Sequence, residues 1–286
     1  MKFRTEIKIN PAGFQINHKD KIQIIGSCFA ENIAKKLNDT GFITDVNPFG
    51  IIYNPSTIAK SITEIIEEKQ YTNDEIFLYE GIYHSASHHS RFSDTNRDAT
   101  LNKINSKLNE SSDFIRQATV ILITFGTAYV YRFQKTGEIV ANCHKMPEKM
   151  FIRTRLNVKE IVENWTVVIK KLQEINENLK IIFSISPVRH FRDGFHENQL
   201  SKSIMLLAVN EIINNFPNCN YFPSYEILMD DLRDYRFYDD SLVHPSTKAI
   251  EYIWEKFAET FFNKETINKA EEFINKQKAL KHIPLN

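Results

Sequence analysis

Short apolar runs alternate along this chain with longer stretches whose apolar residues recur at helical spacing. Ile22-Gln23-Ile24-Ile25 reads as a short buried strand closed by Gly26, and Ile33, Ala34 and Leu37 follow on one helical face. Phe42 to Val46 reads as a second strand. Asn54-Pro55 supplies an N-cap with proline at the first helical position, opening a helix to about Glu68. Lys69 to Asp98, rich in His, Ser and aromatic residues, has no clear period and is expected to form loops or short strands. Thr100 to Gln117 reads as a helix. Thr119 to Phe125, β-branched and apolar throughout, reads as a central parallel strand. Tyr129 to Asn142 is expected to be a hairpin turning at Lys135-Thr136-Gly137-Glu138. Asn157 to Glu160 has the form of a capping box and opens a helix to about Asn176. Leu179 to Ile185 is a further buried strand, Asn198 to Asn214 a helix, and Asn220 to Phe222 a short last strand. An amphipathic helix with Ile250, Ile253, Trp254 and Phe257 follows, and then a polar helix from about Lys264 to Lys278.

Strands alternating with helices predict an α/β fold, a mostly parallel sheet with helices on both faces. In such sheets functional groups gather at the carboxyl ends of the strands. That rule directs attention to the segments after Ile25, Val46, Phe125 and Ile185. The length suits one domain over residues 1–286, with insertions near 69–98 and 129–156 and a helical extension over 264–286.

Charge and cysteine usage narrow the classes further. Lys plus Arg and Asp plus Glu both number 36, so the net charge is zero and a nucleic-acid partner has no global electrostatic support. The three cysteines, Cys28, Cys143 and Cys219, are odd in number and widely spaced, which suggests neither a disulfide framework nor a zinc ribbon. Reduced thiols are the simpler reading. Met1 to Asn10 has no signal-peptide apolar run, and no apolar stretch approaches a membrane span. The expectation is a cytoplasmic protein with no membrane and no nucleic-acid partner. Oligomeric state is not readable from these features.

The first candidate for chemistry is Gly26-Ser27-Cys28. A glycine after a buried strand permits a tight turn into a helix, whose first N–H groups are unpaired. A thiol there is expected to have a lowered pKa, because a helix N-terminus favours the thiolate. Ser or Cys at this turn could attack an acyl carbon while nearby N–H groups receive the oxyanion. The plainer alternative makes Cys28 a small core residue and Ser27 a helix cap. His244 stands just before a helix, with Asp239 and Asp240 upstream to orient its ring as a base; an incidental histidine on an acidic loop is the alternative. Gly50 and Gly126 follow predicted strands, either as N–H donors to an oxyanion or as ordinary turn glycines. Arg189, in Ser186-Pro187-Val188-Arg189-His190, is placed to bind an anionic group of a substrate, or to pair with Asp193 on the surface. His84, His88 and His89 could hold a metal only if they shared a helix face; a polar loop over the site is the preferred reading.

Taken together, these segments resemble the GSCFA-domain family. Gly26-Ser27-Cys28-Phe29-Ala30 is similar to its signature, and Asn47-Pro48-Phe49-Gly50, Asn142-Cys143-His144-Lys145, Ser186 to His190 and His244-Pro245-Ser246 follow in the family's order, from about Ile22 to about Ile253. The family is grouped with SGNH/GDSL hydrolases. The resemblance implies a three-layer α/β/α flavodoxin-like fold and esterase or acyltransferase chemistry. Residue by residue, it places Cys28 at the nucleophile position, with Ser27 before it, Gly50 at the second-strand glycine and His244 at the base. Two positions depart from the group's pattern. Ala128 stands where an oxyanion asparagine is expected, with Asn142 as a substitute. Ser241 stands where the acid is expected, leaving Asp240 to supply it.

The resulting expectation is a covalent acyl-enzyme on Cys28, with His244 moving the proton and the Cys28 and Gly50 N–H groups, joined by Asn142, holding the oxyanion. Arg189 and the loop with His88 would shape the site for a small-molecule or glycan acyl substrate. No cofactor and no resident metal is expected. Two alternatives stand beside it: a binding protein without catalysis on the same fold, and a metal-dependent hydrolase using His84, His88 and His89.

Overall fold

The computed structural model describes residues 4–281. In chain order the strands are β1 (Lys21–Gly26), β2 (Ile43–Val46), β3 (Ile76–Tyr79), β4 (Ile82–Ser85), β5 (Val120–Phe125), β6 (Tyr129–Phe133), β7 (Ile139–Val140), β8 (Phe151–Arg155), β9 (Lys180–Ile185) and β10 (Cys219–Phe222). The helices are α1 (Cys28–Asp39), α2 (Pro55–Ile66), α3 (Arg97–Ile115), α4 (Val158–Ile175), α5 (Phe195–Asn215), the single turn α6 (Ser224–Glu226), α7 (Thr247–Phe261) and α8 (Lys264–Lys281).

Five strands form one parallel sheet in the order β10-β9-β5-β1-β2. Numbered by first appearance, this is the 2-1-3-4-5 order of flavodoxin-like folds, in which the chain changes direction across the sheet between β1 and β5. Alternate side chains of the central strands serve opposite layers. Ile25, Ile121, Ile123, Phe125, Phe183 and Ile185 join the core under α2, α4 and α5. Ile22, Ile24, Leu122 and Ile182 join the core under α1 and α7. Both faces of the sheet are therefore dry, which is why its strands read as continuous apolar runs. Trp165 of α4 is fully buried, packs on Phe125 and Phe183 with ring centroids 5.1 Å away in each case, and donates to the Pro55 carbonyl at 3.2 Å.

Two small antiparallel sheets fill the segment that lacked a clear period and the one expected to be a hairpin. Lys69 to Asp98 contains the hairpin β3–β4. The predicted Tyr129–Asn142 hairpin is two strands of a three-stranded sheet, β7-β6-β8, completed by Phe151–Arg155. That third strand is short and its alternation is weak, so no period marked it. The Ala141 N–H bonds the Ala86 carbonyl at 2.8 Å, joining the two insertions, and the Leu156 N–H bonds the Ala128 carbonyl at 2.9 Å, anchoring the second one at the carboxyl end of β5.

The caps follow the sequence reading. The Asn54 side chain accepts from the Thr57 N–H at the start of α2, and Asn157 with Glu160 forms a reciprocal capping box at the start of α4.

Truncating Trp165 to Ala removes the largest buried side chain and leaves the Pro55 carbonyl without its partner. A loss of about 3–5 kcal/mol is expected in urea unfolding, the range for large aromatic deletions.

Candidate active site

Gly26 sets the turn on which the site is built. A Cβ at this position would lie 2.4 Å from the Thr124 carbonyl oxygen on the neighbouring strand, so only glycine fits. Ser27 is then the N-cap of α1 and Cys28 its first residue. The Ser27 hydroxyl caps nothing: its Oγ is buried and has no hydrogen-bond partner. The Cys28 thiol is partly buried, and its pKa moves opposite to the sequence expectation. Burial pushes it up and Glu31 adds to the rise, while the N–H groups of Phe29 and Cys28 and the charge of Lys202 pull it down by less. The helix end does favour the thiolate, but desolvation outweighs it.

His244 owes its orientation to Asp239 rather than Asp240. The Ser241 hydroxyl gives its one proton to Asp239 Oδ1 at 2.5 Å and lies 3.4 Å from His244 Nδ1; Asp239 Oδ2 lies 3.8 Å from the same nitrogen. A hydroxyl whose proton is committed can only accept from the ring. Nδ1 therefore carries the hydrogen in the neutral imidazole and Nε2 carries the lone pair. Asp239 also accepts the Ser241 N–H, and these bonds from Ser241 hold its carboxyl below the usual range. Ser241 thus occupies the expected acid position as a link to a carboxylate two residues earlier. Asp240 is exposed and makes no contact with the ring. Val243, beside His244, packs on the same apolar cluster as Cys28.

The glycines placed in the oxyanion site have their N–H groups occupied. Gly50 donates to the Asn47 carbonyl at 2.7 Å and Gly126 to the Tyr53 carbonyl at 2.7 Å. Both positions exclude a side chain for steric reasons: a Cβ on Gly50 would meet His89 at 2.2 Å, and one on Gly126 would meet Tyr53 at 2.9 Å. The donors left open are those at the start of α1. Asn142 is turned to its own loop, accepting the His144 N–H at 2.8 Å and lying 3.4 Å from the Ser90 hydroxyl.

Two adjoining clefts lie at this end of the sheet. One, of about 530 Å³, includes Tyr53, His89, Tyr131, Asn142 and Arg192 in its wall; the other, of about 370 Å³, includes Tyr53, Thr127, Tyr131, Arg189 and His190. Cys28 lines neither. They reach the carboxyl end of the sheet through Tyr53 and Thr127, which flank Gly126. Arg189 is largely committed to the loop before His244: its N–H bonds the Val243 carbonyl at 3.0 Å and its guanidinium reaches the Leu242 carbonyl at 3.3 Å. Asp193, the surface partner offered as the alternative for Arg189, pairs with Arg153 instead.

The three histidines separate. His88 is a core residue, stacked on Phe49 at 4.4 Å, bonded to the Ser85 hydroxyl at 2.9 Å and 1% exposed, so it cannot touch a substrate. His84 bonds Ser93, and His89 lies against Gly50. Among the described residues no group of three His, Cys, Asp or Glu side chains is arranged to hold a metal ion. No helix among them is long and apolar enough to cross a membrane.

Lys202, on α5, escaped the sequence reading. It is 1% exposed and donates to the carbonyls of Gly126 at 2.7 Å and Ser186 at 2.6 Å. The available signal was a lysine in register with the buried positions Asn198, Met205, Val209 and Ile212 of one helix.

Residues 21–257 match the GSCFA family. Among solved structures, the chain is similar to a Bacteroides fragilis protein described as an acylhydrolase, at 10% identity, TM-score 0.42, and coverage of 94% of this chain and 91% of that one. It is similar to a carbohydrate esterase family 3 from Talaromyces cellulolyticus at 9% identity, TM-score 0.40, covering 88% and 99%. It is also similar to a Clostridium thermocellum family 3 carbohydrate esterase at 8% identity, TM-score 0.37, covering 89% and 98%. No curated protein matches the sequence.

Burial pushes His88 down to about 3 and His144 down to about 4. Below the ordinary histidine value of 6.5 the unfolded chain takes up protons that these two rings refuse in the folded state. Stability therefore falls as pH falls from about 6.5 towards 4, by about 1.4 kcal/mol per pH unit for each ring. Urea midpoints measured from pH 7 to pH 5 should show this decline, with a shallower slope in His88→Gln.

Proposed function

The chain belongs to the GSCFA family, and from that premise we propose that it is an esterase-type enzyme that forms a covalent acyl intermediate on Cys28. The observation that carries this reading is the His244–Ser241–Asp239 chain, which leaves an oriented lone pair on Nε2 at the sheet end that also bears Cys28. His244 Nε2 takes the thiol proton. The Cys28 sulfur attacks the ester or thioester carbonyl, and the oxyanion is received by the N–H groups of Cys28 and Phe29 at the start of α1. Collapse breaks the bond to the leaving group, which takes the proton from His244. Water or an acceptor alcohol, deprotonated in turn by His244, then releases the acyl group. The clefts combine the tyrosines Tyr53, Tyr129 and Tyr131 with Arg153 and Arg192, a lining suited to a sugar that carries the acyl group.

A second reading is a binding protein that has kept the fold. It is favoured by one observation: both glycine N–H groups assigned to the oxyanion are already bonded.

Rates of ester and thioester cleavage on one substrate panel separate the two. Cys28→Ala and His244→Ala should lose at least a thousandfold in kcat, Asp239→Asn about tenfold or more, and Asp240→Asn and Ser27→Ala less than threefold. Wild type indistinguishable from Cys28→Ala on every substrate would sink the catalytic reading.

A further inference from the structure

The loop that carries Asp239, Ser241 and His244 has few ties to the rest of the molecule. Asp239 to Leu242 are exposed, so apolar packing does not hold them. The loop is closed on itself: the Asp239 N–H bonds the His244 carbonyl at 2.9 Å, and the Ser246 N–H bonds the Phe237 carbonyl at 2.8 Å. At its crown Leu242 has a positive φ of 56°. That is strained for a bulky side chain and persists only where neighbouring groups over-determine it. Among the described residues, 239–244 make hydrogen bonds to just one residue outside the loop, Arg189. The Arg189 N–H donates to the Val243 carbonyl at 3.0 Å, and its guanidinium to the carbonyl of the strained Leu242 at 3.3 Å. The guanidinium is also surrounded by aromatic rings. Its carbon lies 5.6 Å and 5.3 Å from the ring centroids of Tyr235 and Tyr238, just before the loop, and 5.6 Å and 5.3 Å from those of Phe191 and Phe195, beyond β9.

We propose that Arg189 is a positioning residue for His244: bonded to the Leu242 and Val243 carbonyls and stacked among these rings, it fixes on the end of β9 the loop that sets the imidazole tautomer. This rests on His244 being the base. Arg189 exchanges no proton and need touch no substrate; the guanidinium that the sequence offers to a substrate anion is spent on the loop.

The effect runs through the backbone. The Ser241 hydroxyl lies 3.4 Å from His244 Nδ1 and Asp239 Oδ2 lies 3.8 Å from it, long contacts that depend on the course of the chain between them. Without the guanidinium on its carbonyl, Leu242 is free to leave its positive φ, and Ser241 and Asp239 move off Nδ1. A neutral imidazole without a partner carries its hydrogen on either nitrogen. The fraction with the lone pair on Nε2, where the thiol proton must go, then falls.

The variant that tests this is Arg189→Ala, and the readout is the nitrogen-15 NMR shifts of the His244 ring, identified by their absence from His244→Gln. At about pH 9, where an ordinary imidazole is neutral, wild type should show the well-separated shifts of a ring with hydrogen on Nδ1. In Arg189→Ala the two shifts should draw together as the tautomers mix. Arg189→Lys keeps the charge and a donor for Leu242 but not the planar stacking, and should lie between. Shifts in Arg189→Ala that superimpose on wild type overturn the proposal. On a small neutral ester, Arg189→Ala should lower kcat about tenfold or more and leave KM within about twofold. A raised KM with kcat unchanged would make Arg189 a substrate-binding residue and overturn the proposal as well.

Should Arg189→Ala not fold, Tyr235→Ala removes a ring from the stack without touching the core, since Tyr235 is 64% exposed. The two shifts should draw together in it too, and an unmoved spectrum overturns the proposal. The ring spectra need no acyl substrate. Shifts that move in a protein that cleaves no ester would therefore remove the acyl reading alone. Turnover that depends on Cys28 and His244, with unmoved shifts in Arg189→Ala, would remove only the role of Arg189.

Discussion

The close approach of the β1 end to β5 is the constraint on which the rest of the site depends. With no Cβ at residue 26, the chain passes against Thr124 and turns directly into α1, which puts Ser27 at the cap and Cys28 at the first helical position. The Gly26 N–H is not left open by this turn; the Asn47 side chain accepts it at 2.8 Å. Asn47 has a positive φ of 46°, a conformation that asparagine tolerates better than most residues, and its amide reaches on to Glu31 at 3.1 Å. Glu31 in turn pairs with Arg91 from the first insertion, beside His89 and Gly50. The ends of β1 and β2, the first turn of α1 and the insertion that walls the cleft are thus tied through one asparagine.

A second theme is the competition between electrostatic preference and desolvation. Cys28 sits at a helix N-terminus and within the influence of an ammonium, and both favour the thiolate, yet burial leaves the thiol raised. The same effect keeps His88, His144 and His190 neutral well below the ordinary histidine range. His244 stands instead on an exposed loop beside Asp239. His244 and Cys28 thus stand in opposite environments, one on an exposed loop and the other partly buried.

The strand ends carry the remaining architecture. Thr124 and Ser184 lie level with Gly26 across β1, β5 and β9, so the residues that follow emerge side by side at the switch between the two halves of the sheet. α5 reaches under this edge with Ser201 and Lys202 and takes up the polar groups of Gly126, Thr127, Ala128 and Ser186. The second insertion leaves from the same edge, so the cleft is built on the carboxyl end of the central strands.

The elements themselves were legible in the sequence because their causes are local. Periodicity marked the central strands and the long helices, Asn54 and Asn157 marked two helix starts, and the string from Gly26 to Ala30 marked the turn. Candidate roles were legible only as far as residue type allows. The sequence placed Gly50, Gly126 and Asn142 near an oxyanion, but whether an N–H is open depends on a carbonyl elsewhere in the chain: Asn47 for Gly50 and Tyr53 for Gly126. It offered both Asp239 and Asp240 to His244, and the positive φ of Leu242 in that loop, with the Ser241 hydroxyl, decides for Asp239. His88, read as part of a loop over the site, enters the core, and Lys202, which residue type alone would leave on the surface, is buried on the Gly126 and Ser186 carbonyls. Helices, strands and turns follow from neighbours a few residues apart, so the sequence by itself determines them. Desolvation and hydrogen-bond partnership are set by residues tens of positions away, and for that reason only the tertiary structure decided which polar groups remain free to act.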